Sequence, residues 1–285
     1  MNYKQIVWLA SYPKSGNTWV RCFLDAYYLG EVDLNDIICS VADDLSTRYA
    51  VGDGSDIRTM PIDIQQLARP MALLRLVRAF SVEKTTGVPL FVKTHSANMV
   101  ANGVELLPMS LTQAVVHIVR DPRDVFPSFR RHMGVDSSKA LGYFFDRYRV
   151  LTDQREGAAK VGDFISSWYE NTRSFATCGT HNIKTFRYED MKAHPVEAFC
   201  QILEHAGVVF HDQVEAMKEA HQENIERRIQ NMRQAMDAIL EANPYATIDV
   251  SAVSRKMTEQ ETETMGYRKL WEWLEHHEKG KHPLV

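Results

Sequence analysis

The apolar residues in the first three quarters of the chain come in short unbroken runs, each ending in polar residues, and most of these lead into a helical spacing. Ile6-Val7-Trp8-Leu9-Ala10 is the first. It is too short for a helix and apolar at both alternating positions, so it reads as a strand covered on both faces. After Thr18, Val20, Phe23, Leu24, Tyr27 and Tyr28 recur at helical spacing and give a face to pack on a sheet. Pro89-Leu90-Phe91-Val92 is a second strand, running into Lys93-Thr94-His95-Ser96. Ala114-Val115-Val116-His117-Ile118-Val119 is a third, with His117 expected to be a buried structural residue. It ends at Arg120-Asp121-Pro122, where an aspartate cap and a first-turn proline predict a helix start. Pro127 inside that helix predicts a kink. A last strand, Asn182-Ile183-Lys184-Thr185-Phe186-Arg187, gives way to a helix marked by Pro195, Val196, Phe199, Ile202 and Leu203. The recurring order of strand then helix predicts an α/β fold, three layers deep, with a central parallel β-sheet flanked by helices.

The turn after the first strand is the most informative. Ser11-Tyr12-Pro13-Lys14-Ser15-Gly16-Asn17-Thr18-Trp19 passes from strand to helix through a loop of phosphate size. A helix start leaves backbone N–H groups unpaired at the positive end of its dipole, so a phosphate or sulfate bound there satisfies them, and Lys14 adds a full charge. The nucleoside-triphosphatase loop G-x-x-x-x-G-K-[ST] puts lysine directly before a hydroxyl that holds magnesium. Here Gly16-Asn17-Thr18 fills those places, Ser11 stands for the first glycine, and the lysine lies back at position 14.

In this form, Y-P-K-S-G-x-T-W, the loop resembles the 5′-phosphosulfate loop of the cytosolic-type sulfotransferases that use 3′-phosphoadenosine 5′-phosphosulfate (PAPS). The resemblance extends through ordered motifs over about residues 5–210. It implies that Lys14, Ser15, Gly16, Asn17, Thr18 and Trp19 bind the donor, with Lys14 neutralising charge on the leaving phosphate oxygen. Lys93 and His95 match the family's K-T-H segment, which implies a histidine base and a lysine on the transferring group. After His95 the chain departs, with Ser96-Ala97 where many members have Leu-Pro. Arg120 and Ser128, eight residues apart, match the arginine and serine that hold the 3′-phosphate. Tyr188, in Tyr188-Glu189-Asp190-Met191, matches the tyrosine bordering the adenine, with Trp19 as its opposite face. The segment Ser167-Trp168-Tyr169-Glu170-Asn171 resembles an aromatic-rich family helix and is read as packing. The family's closing R-K-G-x-x-G segment has only Ser254-Arg255-Lys256-Met257 as a weak counterpart, without either glycine.

The implied reaction is sulfuryl transfer from PAPS to a hydroxyl or amine of a small-molecule acceptor, without a metal. A P-loop nucleotide kinase or hydrolase is the alternative, but it needs a lysine where Asn17 stands. A non-catalytic nucleotide-binding relative is the other, and His95 with Lys93 argues against it. Between residues 31 and 88, Leu67, Met71, Leu73, Leu74, Leu76, Val77 and Phe80 interleave with Arg69, Arg75 and Arg78. They form either an apolar acceptor wall with cationic selection or an amphipathic core helix, and the core helix is the better expectation.

Composition narrows the picture further. No linker-like tract divides the 285 residues, so a single domain spanning 1–285 is expected, with a helical C-terminal part over about residues 211–277. A formal net charge of -4 argues against a broad nucleic-acid surface. Cys22, Cys39, Cys178 and Cys200 are widely spaced, without a C-x-x-C pattern, and read as reduced thiols. No apolar run approaches a membrane span or a signal-peptide core, so a cytoplasmic protein is expected.

Overall fold

The computed structural model describes residues 5–29, 41–43, 61–82, 89–153 and 160–208. In chain order the elements are β1 (Ile6–Ser11), α1 (Asn17–Leu29), β2 (Val41–Asp43), α2 (Ile62–Val82), β3 (Leu90–Thr94), β4 (Val100–Ala101), β5 (Val104–Glu105), β6 (Thr112–Val119), α3 (Pro122–Met133), α4 (Ser137–Phe145), β7 (Val150–Asp153), β8 (Lys160–Phe164), α5 (Trp168–Ala176), β9 (Ile183–Arg187), α6 (Tyr188–Ala193) and α7 (Pro195–His205). Five strands form one sheet in the order β2-β3-β1-β6-β9, and every neighbouring pair is parallel. β4 with β5 and β7 with β8 make separate antiparallel pairs.

β1 lies at the centre with every residue buried, which its continuous apolar run requires. Its alternate side chains feed two cores. Val7 and Leu9 pack with Val20, Phe23 and Leu24 of α1 and with Phe199, Ile202 and Leu203 of α7. The Phe23 and Phe199 rings stack at 3.9 Å between centroids. Ile6, Trp8 and Ala10 face the other way, onto Leu73, Leu76 and Val77 of α2. The arginine-interleaved stretch is therefore a core helix. Trp8 meets its one polar need internally, since its indole N–H donates to Thr112 Oγ1 at 2.9 Å. A third cluster, Tyr12, Phe129, Phe144, Ile165 and Trp168, underlies the C-terminal end of the sheet.

The chain leaves β1 toward β2 and β3 but leaves β6 toward β9 on the opposite side. Connections that part in this way open a crevice at the carboxyl ends of two adjacent strands, where open α/β sheets bind ligands. α3 begins where the sequence predicts, with the Asp121 side chain accepting from the Arg123 N–H and Pro122 in the first turn. It then runs through Pro127 to Met133 as one helix and ends on Gly134 in the left-handed region.

His117 is buried on β6, bonded through Nδ1 to Thr185 Oγ1 at 3.1 Å and stacked on Phe175 at 4.5 Å. Burial pushes its pKa down to about 3. The unfolded chain binds a proton near the ordinary histidine value while the folded chain does not. Stability is therefore lost as pH falls from about 6.5, by up to about 1.4 kcal/mol per pH unit. Denaturant titrations across this range should show a shallower acid loss for His117→Gln than for the parent protein; equal slopes would refute the assignment.

Candidate active site

The loop between β1 and α1 turns through two left-handed residues, Lys14 at φ 70° and Gly16 at φ 107°. The Ser15 N–H donates to the Tyr12 carbonyl at 3.3 Å and the Trp19 N–H to the Gly16 carbonyl at 3.0 Å. Among the described residues the N–H groups of Gly16, Asn17 and Thr18 have no acceptor, and the buried Ser15 hydroxyl has no partner. Unsatisfied donors gathered at a helix start fit an anion. Asn17 has a different task. Its side-chain N–H groups donate to the Leu9 carbonyl at 2.9 Å and to Ser11 Oγ at 3.2 Å, stapling the loop to the end of β1. What Asn17 offers a ligand is its backbone N–H, and Thr18 stands exposed beside it.

Three cations converge on this loop. The Lys14 ammonium, at the end of an otherwise exposed residue, is held below the ordinary lysine range, first by desolvation and then by the charges of Arg131 and Arg120. Like charges gathered at one loop are what a polyanion site requires. Arg131 went unnoticed in the sequence. It lies on α3 three residues after Ser128, so both share a face of that helix.

Parallel pairing of β1 with β3 sets Ala10 beside Thr94, which brings His95 to the end of β1. The His95 ring nitrogen Nδ1 lies 2.8 Å from the Ser11 carbonyl oxygen. A carbonyl only accepts, so Nδ1 carries the hydrogen and Nε2 is left with its lone pair. Lys93 is on β3 in register with Leu9, and strand alternation puts it on the same face as Phe91, toward α1.

Arg120 follows the last residue of β6. It pairs loosely with Asp124 at 3.8 Å, its Nε is buried without a partner, and its guanidinium carbon lies 4.6 Å from the Tyr188 ring centre. Tyr188, the first residue of α6, also presses on the loop, where a Cβ built on Gly16 would sit 2.5 Å from its ring. Trp19 is nearly buried and meets Tyr188 edge to face at 5.8 Å and Phe199 at 5.2 Å. The Trp19 and Tyr188 rings touch and do not bracket an open slot. Beside them the Asp121 N–H donates to Glu189 Oε1 at 3.2 Å, and burial pushes the Glu189 carboxyl up.

The sequence model of the sulfotransferase domain matches residues 4–261. The chain belongs to the sulfotransferase domain family. Sulfotransferase 1A1 of Canis lupus familiaris is 24% identical over 209 residues, and that of Bos taurus is 23% identical over the same length. Each alignment covers 70% of this chain but only 58% of the relative. Among solved structures, mouse sulfotransferase SULT7A1 complexed with PAP superposes with a TM-score of 0.48 at 14% identity, covering 94% of this chain and 83% of that one. Retinol dehydratase in complex with androsterone and inactive cofactor PAP gives 0.45 at 16%, covering 80% and 64%.

Three residues of this sulfotransferase domain that the sequence reading did not connect with His95 meet its segment in space: Arg69 on α2, Asp163 on β8 and Asn171 on α5. Asn171 sits in the segment read as packing, and the neighbouring Trp168 is indeed fully buried. A cleft of about 490 Å³ opens next to Ala97, Met99, Tyr148 and Ser174. The Arg255 and Lys256 segment, Cys39 and the helical C-terminal part of the sequence reading lie outside the described residues. Cys22, Cys178 and Cys200 are free thiols, and no described helix is long and apolar enough to cross a membrane.

Proposed function

We propose that the chain is a PAPS-dependent sulfotransferase that passes a sulfuryl group to a hydroxyl or amine of a small-molecule acceptor by in-line displacement, and that it works in the cytoplasm. The observation that carries this reading is the convergence of Lys14, Arg120 and Arg131 on a loop that keeps unsatisfied donors, with the base-form nitrogen of His95 at the adjoining strand end. PAPS supplies an already activated sulfuryl group on a good leaving phosphate.

The residues divide the remaining work by position. The N–H groups of Gly16, Asn17 and Thr18, the Ser15 hydroxyl and Lys14 hold the 5′ anion, and Lys14 neutralises charge on the leaving oxygen. Arg120 and Ser128 hold the 3′-phosphate, with Arg131 adding charge from the same helix face. Tyr188 borders the base, and Trp19 backs Tyr188 from the core. His95 Nε2 takes the acceptor proton, and Lys93 stabilises the oxygens of the transferring group. Orientation and fixed charge then supply most of the acceleration, as in phosphoryl transfer.

The test is calorimetric titration with 3′-phosphoadenosine 5′-phosphate (PAP) in EDTA, beside ATP with magnesium. Tight metal-independent binding of the bisphosphate is expected, and preference for magnesium-ATP would move the chain to the kinase class. Lys14→Ala should weaken PAP binding by about 10- to 100-fold, the loss of a charge-assisted contact. Because the Lys14 ammonium loses its proton more readily than an ordinary lysine, the parent's affinity should fade with rising pH before the usual lysine range is reached. A Lys14→Ala protein with the parent's affinity and pH profile would end the loop assignment.

A further inference from the structure

Five bonds from three distant elements fasten the short segment that carries His95. On its β3 side, Thr94 Oγ1 donates to Asp163 Oδ1 at 3.4 Å. On its far side, Ser96 Oγ donates to the same oxygen at 3.0 Å. The next residue continues the strap, since the Ala97 N–H donates to the Phe164 carbonyl at 2.8 Å. The His95 carbonyl itself accepts from Asn171 Nδ2 at 3.0 Å, and that amide also donates to the Ile165 carbonyl at 2.9 Å. Arg69, fully buried, donates through Nη1 to Ser96 Oγ at 3.4 Å and through Nε to the Leu106 carbonyl at 2.9 Å.

Ser96 is the junction of this strap. It is fully buried, donates to a carboxylate and accepts from a guanidinium, while its N–H donates to Thr94 Oγ1 at 3.1 Å. Many sulfotransferases have leucine at this place, and a leucine could make neither side-chain bond. The polar strap therefore belongs to this chain's own departure from the family pattern. A buried polar network fixes geometry only while each member is satisfied, because each unmade bond carries a desolvation cost.

We propose that Ser96 and Asp163 are positioning residues that hold His95 with its Nδ1–H on the Ser11 carbonyl, the tautomer in which Nε2 is the basic nitrogen. The proposal rests on the reading of His95 as the base. The strap fixes the backbone on both sides of His95, and so sets the Cα–Cβ direction from which the ring reaches the Ser11 carbonyl at 2.8 Å. A base displaced by about 1 Å can lose about a hundredfold in rate.

The imidazole nitrogens report this directly and need no acceptor. In the 285-residue chain labelled with nitrogen-15, the His95 signals, assigned by their loss in His95→Gln, are expected to show a protonated Nδ1 and an unprotonated Nε2. Ser96→Ala and Asp163→Ala are expected to lose this fixed tautomer and show averaged nitrogens, with PAP affinity within about twofold of the parent, since the donor loop is untouched. Asp163→Asn keeps an acceptor oxygen in place and is expected to retain the parent tautomer. It also keeps the test valid if Asp163→Ala fails to fold. A fixed Nδ1–H in Ser96→Ala overturns the proposal, as does Asp163→Asn losing the tautomer as fully as Asp163→Ala. A parent protein with its proton on Nε2 would instead remove His95 as the base, a distinct failure.

Discussion

Replacing His95 by alanine is expected to lower turnover by about two orders of magnitude or more, the range for losing a general base, while leaving PAP affinity nearly unchanged. The split follows from geometry. His95 bonds to the Ser11 carbonyl at the start of the donor loop, but the loop has its own staple in Asn17, which ties Leu9 and Ser11 without help from the histidine. Release of PAP from PAPS, followed across a panel of phenols, alcohols, sugars and amines, provides the rate. Calorimetry provides the affinity. Full turnover in His95→Ala would remove it from the mechanism, and a parallel collapse of PAP binding would make it a structural support of the loop.

Gly16→Ala should have the second large effect, and it acts on binding and stability together. At φ 107° an L side chain is strained, which costs about 1–3 kcal/mol on backbone grounds alone. The added Cβ would also lie 2.5 Å from the near side of the Tyr188 ring. That ring cannot swing away freely, because Trp19 lies against it and the Arg120 guanidinium also lies near it. Relief must come from moving α6 or the loop, and either movement disturbs the residues assigned to both phosphates. A drop in the denaturation midpoint with loss of PAP binding is expected. A stable variant that binds PAP as the parent does would show that the loop and Tyr188 are not coupled.

The loop and strand ends assigned to the donor could be located in the sequence because their logic is local. Ser11 through Trp19 is one strand, one turn and one helix start, and Arg120-Asp121-Pro122 is another strand end with its cap in view. Lys93 and His95 could be set at a strand end by the same reasoning. β2, the pairing of β4 with β5 and that of β7 with β8 were not legible, since two- to five-residue strands carry too little pattern to rise above loop composition. Nor were Arg69, Asp163 and Asn171, which meet the His95 segment from elements 27, 67 and 76 residues away in the chain. Trp19 illustrates the opposite limit. Its letter beside the loop implied a face for the base, whereas helix α1 turns it into the core against Phe199.

The central placing of β1 has a consequence for how the protein is made. β1 is synthesised before both of its partners, pairing with β3, more than eighty residues later, and with β6, more than a hundred residues later. An emerging N-terminal segment thus carries the whole anion loop in its sequence but lacks both strands that hold the loop open. Closing such long loops precedes any reward from contact, which slows folding. Until β6 has left the ribosome, the apolar run of β1 remains unpaired, a segment that invites chaperone capture or aggregation. The anion loop is therefore translated before the strands that frame it and cannot form until the sheet has been assembled around it.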